Sequence, residues 1–204
     1  DSTFRNLLGE LAALVAEPEE IRHVPRLLAK YGIRFLVVEH LPQTKIDGAC
    51  FWLNKHSPVI VLSLRHDRID NFWHSLCHEL KHVQSREGED NAILENAMVG
   101  LDAQPFDEKP LAEQEADRFA VEFLVNQREL NDFVIRTSPY FAKSKVFGFS
   151  LRTRVHPGIV VGQLQHRKVI EYSHLRAFIV KIRHIVMESA LTDGWGKTSQ
   201  LVST

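Results

Sequence analysis

Hydrophobic residues first recur at helical spacing and then gather in short apolar runs. Leucine and valine residues three or four positions apart predict an amphipathic helix over residues 4–16, and a second helix is predicted to end at Gly32. Three apolar, β-branched runs then predict strands, and they span residues 33–39, 48–53 and 59–64. The N-terminal half therefore combines helices with a small three-stranded sheet.

Helical spacing returns after the third strand and dominates the rest of the chain. A long helix is predicted over residues 68–85, with Asp67 as its N-cap. The polar stretch 86–106 predicts a loop that contains a short helix near residues 91–99. Later helices are predicted over residues 107–126, 156–167 and 173–189. This order of elements defines an α+β fold with a mostly helical C-terminal half.

Composition restricts the class of protein. A chain of 204 residues, 44% of them hydrophobic, is long and apolar enough to form one globular domain. Its net charge of -1 gives no general attraction to nucleic acid or to anionic membranes, and no apolar run is long enough to span a membrane. Cys50 and Cys77 lie inside apolar runs, which predicts buried, reduced thiols and a cytoplasmic location.

The strongest chemical signal is the pentapeptide HELKH at residues 78–82. On the predicted helix His78 and His82 lie four residues apart on one side, so both imidazoles can reach one metal ion. Glu79 lies beside them, where its carboxylate can take a proton from water that a zinc ion has made more acidic. The spacing therefore predicts a zinc site with Glu79 as the general base.

The rest of this helix supports the same interpretation. Its apolar residues form a stripe opposite the two histidines, so one face packs into the core while the other faces a cleft. The alternative is a solvated face that carries histidines by chance. His74 could pair with His78, but Ser75 would then occupy the position of the catalytic glutamate. We therefore expect His74 to lie beside the ligands or at the surface.

The third ligand must come from elsewhere, since a catalytic zinc ion usually has three protein ligands and one open position. The extended motif that supplies a third histidine is excluded, because Gly88 stands where that histidine is required. The acidic residues that remain are Glu87, Glu89, Glu95, Glu113 and Glu115.

Helix geometry selects among these acids. In the helix predicted over residues 107–126, Glu113 lies at the edge of the apolar face and Glu115 points the other way. We therefore predict Glu113 as the third ligand. Asp117 follows Glu113 by one turn, and we predict that it hydrogen-bonds the second ring nitrogen of a ligand histidine. The alternative is that both are ordinary surface acids.

Taken together, these motifs resemble the ImmA/IrrE family of zinc metallopeptidases. The resemblance spans roughly residues 20–170 and is closest to members fused behind a helix-turn-helix domain in antitoxin-like or phage-repressor-like bacterial regulators. It is carried by GACFWL at 48–53, VIVLS at 59–63, RIDNFW at 68–73, HELKH at 78–82, EQEADRFA at 113–120 and HPGIVVG at 156–162. It implies a zincin-like fold, Zn2+ held by His78, His82 and Glu113, and a bacterial cytoplasmic protein whose substrate is a DNA-binding repressor.

Two functions are compatible with these features. The first is a zinc-dependent endopeptidase that cleaves a partner protein, the expected substrate being a DNA-binding repressor in bacterial stress, phage or toxin–antitoxin regulation. The strand before the zinc helix would bind the substrate backbone along its edge. The group that stabilises the oxyanion is left open among Tyr140, His156, Tyr172 and His174. The alternative is a non-proteolytic sensor or regulatory module of a transcriptional regulator or antitoxin.

Domain boundaries and partners complete the sequence-based expectations. Because the chain begins at Asp1 rather than Met, we expect residues 1–17 to be a helix and linker from a lost N-terminal DNA-binding domain. Residues 18–190 would form the zincin-like domain and residues 191–204 a tail. DNA would be bound only through the missing domain, no membrane partner is expected, and a homodimer is one option for the oligomeric state.

Overall fold

The computed structural model describes residues 2–40, 43–96 and 106–192. Its helices are α1 (Ser2–Ala12), α2 (Val24–Lys30), α3 (Ile69–Ser85), α4 (Leu111–Leu124), α5 (Gln127–Thr137), α6 (Lys143–Thr153), α7 (Pro157–His166) and α8 (Arg183–Val186). Short 3-10 helices cover Pro18–His23, Phe106–Glu108 and Arg176–Phe178. Its strands are β1 (Arg34–Val37), β2 (Ile46–Trp52), β3 (Pro58–Leu62), β4 (Ile93–Asn96) and β5 (Leu191–Thr192). The fold is α+β, as the sequence predicts.

The strands form one mixed sheet in the order β4-β2-β3-β1-β5. β2 pairs antiparallel with β3 and β4, while β1 pairs parallel with β3 and β5. The three predicted strands correspond to β1, β2 and β3, and two short strands extend the sheet beyond them. The short helix expected near residues 91–99 is wrong for residues 93–96, because this segment hydrogen-bonds to β2. Residues 97–99 lie outside the described part of the chain.

The interior position of β3 changes one expectation about substrate binding. β3 is the strand that precedes α3, and it pairs with β1 on one side and β2 on the other. Both of its edges are therefore occupied, so a substrate strand cannot add to β3. The outer edge on this side of the described sheet belongs to β4.

Asp67 connects the start of α3 to the C-terminal segment instead of capping α3. The N-cap residue of α3 is Arg68, which makes no side-chain capping bond. Asp67 Oδ1 accepts hydrogen bonds from the backbone N–H groups of Ile182 and Arg183 at 3.0 and 2.7 Å. These two N–H groups lie where α8 begins, so Asp67 stabilises that new helix start. The single helix expected over residues 173–189 is therefore wrong.

The central helix α3 packs against β2 and β3, against α4 and against α7. Trp73, in the middle of α3, is completely buried. Two glycines allow α7 to approach α3 closely, since a Cβ at Gly158 would lie 2.8 Å from Ile69 Cγ2 and one at Gly162 only 2.2 Å from Asp70 Oδ2. The helix that carries the HExxH motif is thus enclosed on most of its surface.

The remaining expectations have different outcomes. Cys50 and Cys77 are buried free thiols, as predicted. Leu7 and Leu11 of α1 belong to the same hydrophobic core as α3. The division of the chain after residues 17 and 190 stays a prediction. Within the described residues, no helix has the length and apolar character needed to cross a membrane.

Candidate metal centre

The three motif residues of α3 lie in the interior. His78, Glu79 and His82 each have 0% relative exposure, because α4 covers the face that the sequence pattern assigns to a cleft. The alternative of a solvated face with chance histidines is therefore wrong. Buried polar side chains require partners, so the residues that α4 brings to these three side chains define the chemistry of the site.

Glu113 of α4 faces both histidines of the motif. Its Oε2 lies 2.9 Å from His78 Nε2, and its Oε1 lies 3.5 Å from His82 Nε2. One ligand atom from each of the three residues lies within 4.8 Å of the other two, which is a spacing that can hold a metal ion. Glu115, two residues further along α4, is exposed. Helical phase therefore orients these two acids as the sequence predicts.

Asp117 holds the opposite side of the His78 ring. Asp117 Oδ1 lies 2.9 Å from His78 Nδ1, and Lys109 Nζ donates to Asp117 Oδ2 at 2.7 Å. In metal sites, a carboxylate on the second ring nitrogen fixes the orientation of the imidazole and makes the first nitrogen a better ligand. His74 Nε2 approaches Asp117 Oδ1 at 3.4 Å, so His74 lies beside the ligand set.

A second acidic residue, which sequence reasoning did not assign to this role, holds His82. Glu87 Oε2 lies 2.5 Å from His82 Nδ1, on the ring nitrogen that does not face Glu113. The carbonyl oxygen of Glu87 accepts a hydrogen bond from Trp52 Nε1 of β2 at 3.0 Å. Gly88 has φ +79°, and a Cβ there would lie 2.7 Å from the Cys50 carbonyl oxygen. The turn after α3 therefore lies against β2 and carries the Glu87 carboxylate to His82.

Glu79 lies under β2 at a position where the strand has no side chain. A Cβ built on Gly48 would lie only 2.3 Å from Glu79 Oε1. Any larger residue at position 48 would have to displace the carboxylate or the strand. The glycine therefore determines where the Glu79 carboxylate can lie. No feature of the sequence around residue 48 signals this contact, because it joins two distant segments.

The remaining acids and the oxyanion candidates have other surroundings. Glu89 accepts a hydrogen bond from Arg86 Nη2 at 3.0 Å, and the side chain of Glu95 lies outside the described part of the structure. His156 Nδ1 accepts from the N–H of Gly158 at 3.1 Å, and His174 Nε2 lies 3.0 Å from the carbonyl oxygen of Phe141. Tyr140 is 80% exposed, and Tyr172 lines a separate cavity beside Arg68. These contacts assign none of the four to the oxyanion.

The carboxylates make the centre attractive to positive charge. Burial alone would lower the pKa of His78, but hydrogen bonds to Asp117 and Glu113 outweigh this effect and raise the pKa to about 9. Burial would also lower the pKa of His82, but the nearby carboxylates of Glu113 and Glu87 outweigh this effect and raise it. Although burial would raise the pKa of Asp117, hydrogen bonds with His74 and His78 hold it well below its usual range.

The residues fit a divalent metal ion. Among the described residues, His82 Nε2 is buried and has no hydrogen-bond partner. A buried nitrogen in this condition is costly unless another group binds it. A cation between the two Nε2 atoms and Glu113 would bind that nitrogen, and imidazole with carboxylate is a common ligand set for divalent transition metals.

An HExxH helix whose histidines face a carboxylate from a second helix defines a metallopeptidase-type domain. Comparison with protein-family models agrees with this class, since residues 29–153 match the Peptidase_M78 family, described as the IrrE N-terminal-like domain. The chain belongs to this family. The matched range includes all of the site residues, from Gly48 to Asp117. No curated protein matches the chain.

The contact between Glu87 and His82 can be tested through the affinity of the site for a metal ion. We expect Glu87→Gln to lower zinc affinity about 10–100-fold, because the amide holds His82 without the negative charge that strengthens its other nitrogen as a ligand. Competition with a fluorescent chelator measures the affinity. Glu89→Gln is the matched control, since the Glu89 carboxylate accepts its hydrogen bonds from Arg86. Equal losses in the two variants, or none in Glu87→Gln, would contradict this role.

The raised pKa of His78 predicts how the metal-free protein responds to pH. His78 has a pKa of about 9 in the folded protein and an ordinary value of 6.5. Its protonated form therefore stabilises the fold fully below about pH 6.5, and this stabilisation is lost as pH rises toward 9. We expect the free energy of unfolding to fall by roughly 2 kcal/mol between about pH 6.5 and 8.5. Urea unfolding followed by tryptophan fluorescence measures this change.

The pH experiment has an internal control, the zinc-saturated protein, and an upper limit of pH. Zinc-saturated protein should not show the decline, because a bound metal ion replaces the proton on His78. Measurements should stay below about pH 8.5, since burial raises the pKa of Cys50 to about 12 and that thiol destabilises the fold at higher pH. Metal-free protein whose stability stays constant or rises across the window would contradict the assignment.

Proposed function

We propose that the chain is a zinc-dependent endopeptidase that cleaves a partner protein, and that this substrate is a DNA-binding repressor in bacterial regulation. The observation that carries the proposal is the Glu113 carboxylate, which lies 2.9 Å from His78 Nε2 and 3.5 Å from His82 Nε2. His78, His82 and Glu113 are the residues that would hold the zinc ion. When bound, zinc supplies a Lewis acid that polarises a peptide carbonyl and acidifies water.

Glu79 is the general base in this proposal. Glu79 follows His78 directly in α3, and its carboxylate is fully buried beneath Gly48. There it would take the proton of the attacking water and pass it to the nitrogen of the departing amine, so that peptide cleavage needs no other acid. A buried, positioned carboxylate is effective in such transfers, because solvent does not compete for the proton.

The substrate backbone is proposed to bind along the outer edge of β4. Gly48, which covers Glu79, pairs with Glu95 of β4 in the sheet, so β4 is one strand away from the base. Neighbouring strands lie about 4.8 Å apart, and an extended peptide that adds to β4 would receive backbone hydrogen bonds without a fixed side-chain sequence. This edge replaces the edge of β3, which is occupied on both sides.

The choice of a repressor as substrate rests on the resemblance to ImmA/IrrE regulators. A cytoplasmic location is supported by the two buried free thiols, since secreted domains more often pair their cysteines. Such a location would give the enzyme direct access to DNA-binding proteins.

New protein N-termini in cells provide the test. Bacteria that produce the parent chain are compared with bacteria that produce Glu79→Gln, and all protein N-termini are mapped by mass spectrometry. We expect cleavage within a helix-turn-helix repressor only with the parent chain. Identical N-termini in both strains would overturn the proposal and favour the non-proteolytic regulatory module. Cleavage confined to proteins that do not bind DNA would overturn the repressor assignment alone.

A further inference from the structure

A separate cavity lies between α3, α4 and α7. Its volume is about 70 Å³, and by the same measure one water molecule needs about 10–15 Å³. Its apolar lining consists of Val121, Leu124 and Ile159. Its polar lining is rich in nitrogen and includes Arg68, Asn71, His74, Gln163, His166 and Arg167. The cavity thus has room for a small molecule with one apolar and one polar end.

Arg167 is the cationic group that most clearly points to a ligand. Its Nη1 donates to Asn131 Oδ1 at 2.6 Å and its Nη2 to Gln127 Oε1. Both acceptors are neutral amides, and no ion pair of Arg167 occurs within residues 2–40, 43–96 and 106–192. Partial burial also lowers the pKa of Arg167, because no carboxylate offsets the loss of water. The described residues therefore hold this charge in place without neutralising it.

Arg68, which also lines the cavity, is neutralised by Asp70. Its Nε and Nη2 donate to the two carboxylate oxygens of Asp70 at 3.0 and 2.8 Å, and Nη2 also donates to Gln165 Oε1 at 2.9 Å. Two guanidinium groups and one carboxylate therefore line the cavity, which leaves a net charge of +1 before the histidines are counted. The field in the cavity favours an anion.

Asn71 adds a buried N–H donor to the lining of the cavity. Among the described residues, its Nδ2 is buried and has no hydrogen-bond partner, although the residue lines the cavity. A buried amide N–H without an acceptor costs about 1–3 kcal/mol. An acceptor oxygen inside the cavity would remove that cost. Asn71 and Arg167 can therefore both donate hydrogen bonds to the same kind of group, an oxygen atom that carries negative charge.

We propose that this cavity binds a small organic carboxylate, with its oxygens on Arg167 and Asn71 and its short apolar body against Val121, Leu124 and Ile159. The site goes beyond the peptidase function and does not depend on it. It also lies close to the metal centre, since His74 lines the cavity and approaches Asp117 at 3.4 Å, and Asp117 holds His78 at 2.9 Å.

Butyrate is the probe that tests the site, and metal-free protein keeps the result independent of peptidase activity. We expect saturable binding of butyrate with a Kd of about 1 mM by calorimetry, and a rise in melting temperature as butyrate is added. Butylamine, which has the same number of carbon atoms and the opposite charge, should do neither. Binding of butylamine as well, or of inorganic phosphate in place of butyrate, would overturn the proposal.

Two variants locate the binding. Arg167→Gln should weaken butyrate binding at least about tenfold, whereas Arg136→Gln, at an exposed position of α5, should not change it. Val121→Phe fills the cavity from its apolar lining and should also abolish binding, which decides the matter if Arg167→Gln fails to fold. Unchanged butyrate binding in folded Arg167→Gln or Val121→Phe would contradict the assigned site.

Discussion

Glu79→Gln is expected to slow cleavage of the proposed repressor substrate by about 10²–10⁴-fold without lowering the metal content of the protein. Glutamine has nearly the shape of glutamate, so it should fit beneath Gly48, where a Cβ would leave only 2.3 Å to the side-chain oxygen. It cannot accept the proton of the attacking water, and the loss should therefore appear in kcat more than in KM. Single-turnover cleavage of the purified repressor measures the rate.

The metal content of this variant is the control that separates catalysis from folding. Mass spectrometry of the metal should find the same zinc stoichiometry in Glu79→Gln and in the parent chain, because His78, His82 and Glu113 are unchanged. A variant that cleaves as fast as the parent would refute Glu79 as the base. A variant that loses both zinc and activity would show that Glu79 belongs to the metal site itself.

Glu113→Ala should lower zinc affinity roughly 10²-fold. Removal of the carboxylate deletes one of the three groups that can lie around a metal ion, and it leaves His78 Nε2 without its 2.9 Å partner. Zinc sites contribute about 10–16 kcal/mol in all where four ligands bind, so one ligand accounts for about 3 kcal/mol. Chelator competition on the purified chain measures the change.

Glu115→Ala is the matched control for this experiment. Glu115 lies two residues from Glu113 on the same helix and is exposed, so its removal changes helix propensity and net charge in the same way without touching the histidines. We expect its zinc affinity to equal that of the parent. A Glu113→Ala protein that binds zinc as tightly as Glu115→Ala would show that the third ligand lies elsewhere.

Much of the candidate site could be predicted because it depends on local geometry. Residues four apart on a helix share a side, so His78 and His82 can be paired from their spacing alone. The same periodicity separates Glu113 from Glu115, and the structure orients them accordingly. It also brings Asp117 to His78 Nδ1 at 2.9 Å. Their roles as zinc ligands and supporting residue stay predictions for the metal-affinity measurements.

The wrong predictions concern segments whose structure depends on distant partners. The short helix near residues 91–99 has a polar pattern that suits several structures, and hydrogen bonds to β2 decide in favour of β4. The helix over residues 173–189 has suitable spacing, but Asp67 accepts the N–H groups of Ile182 and Arg183 and starts a new helix there. Local propensity is weak enough for such contacts to override it.

By itself, the sequence determined the α+β class and the helix that carries His78, Glu79 and His82, because these features follow from periodicity within one segment. Only the tertiary structure decided that this helix is enclosed, that Glu87 holds His82 and that Gly48 covers Glu79. It also placed Arg167 beside a cavity with neutral partners. These features join segments far apart in the chain, and packing between elements, which no local pattern encodes, sets their distances.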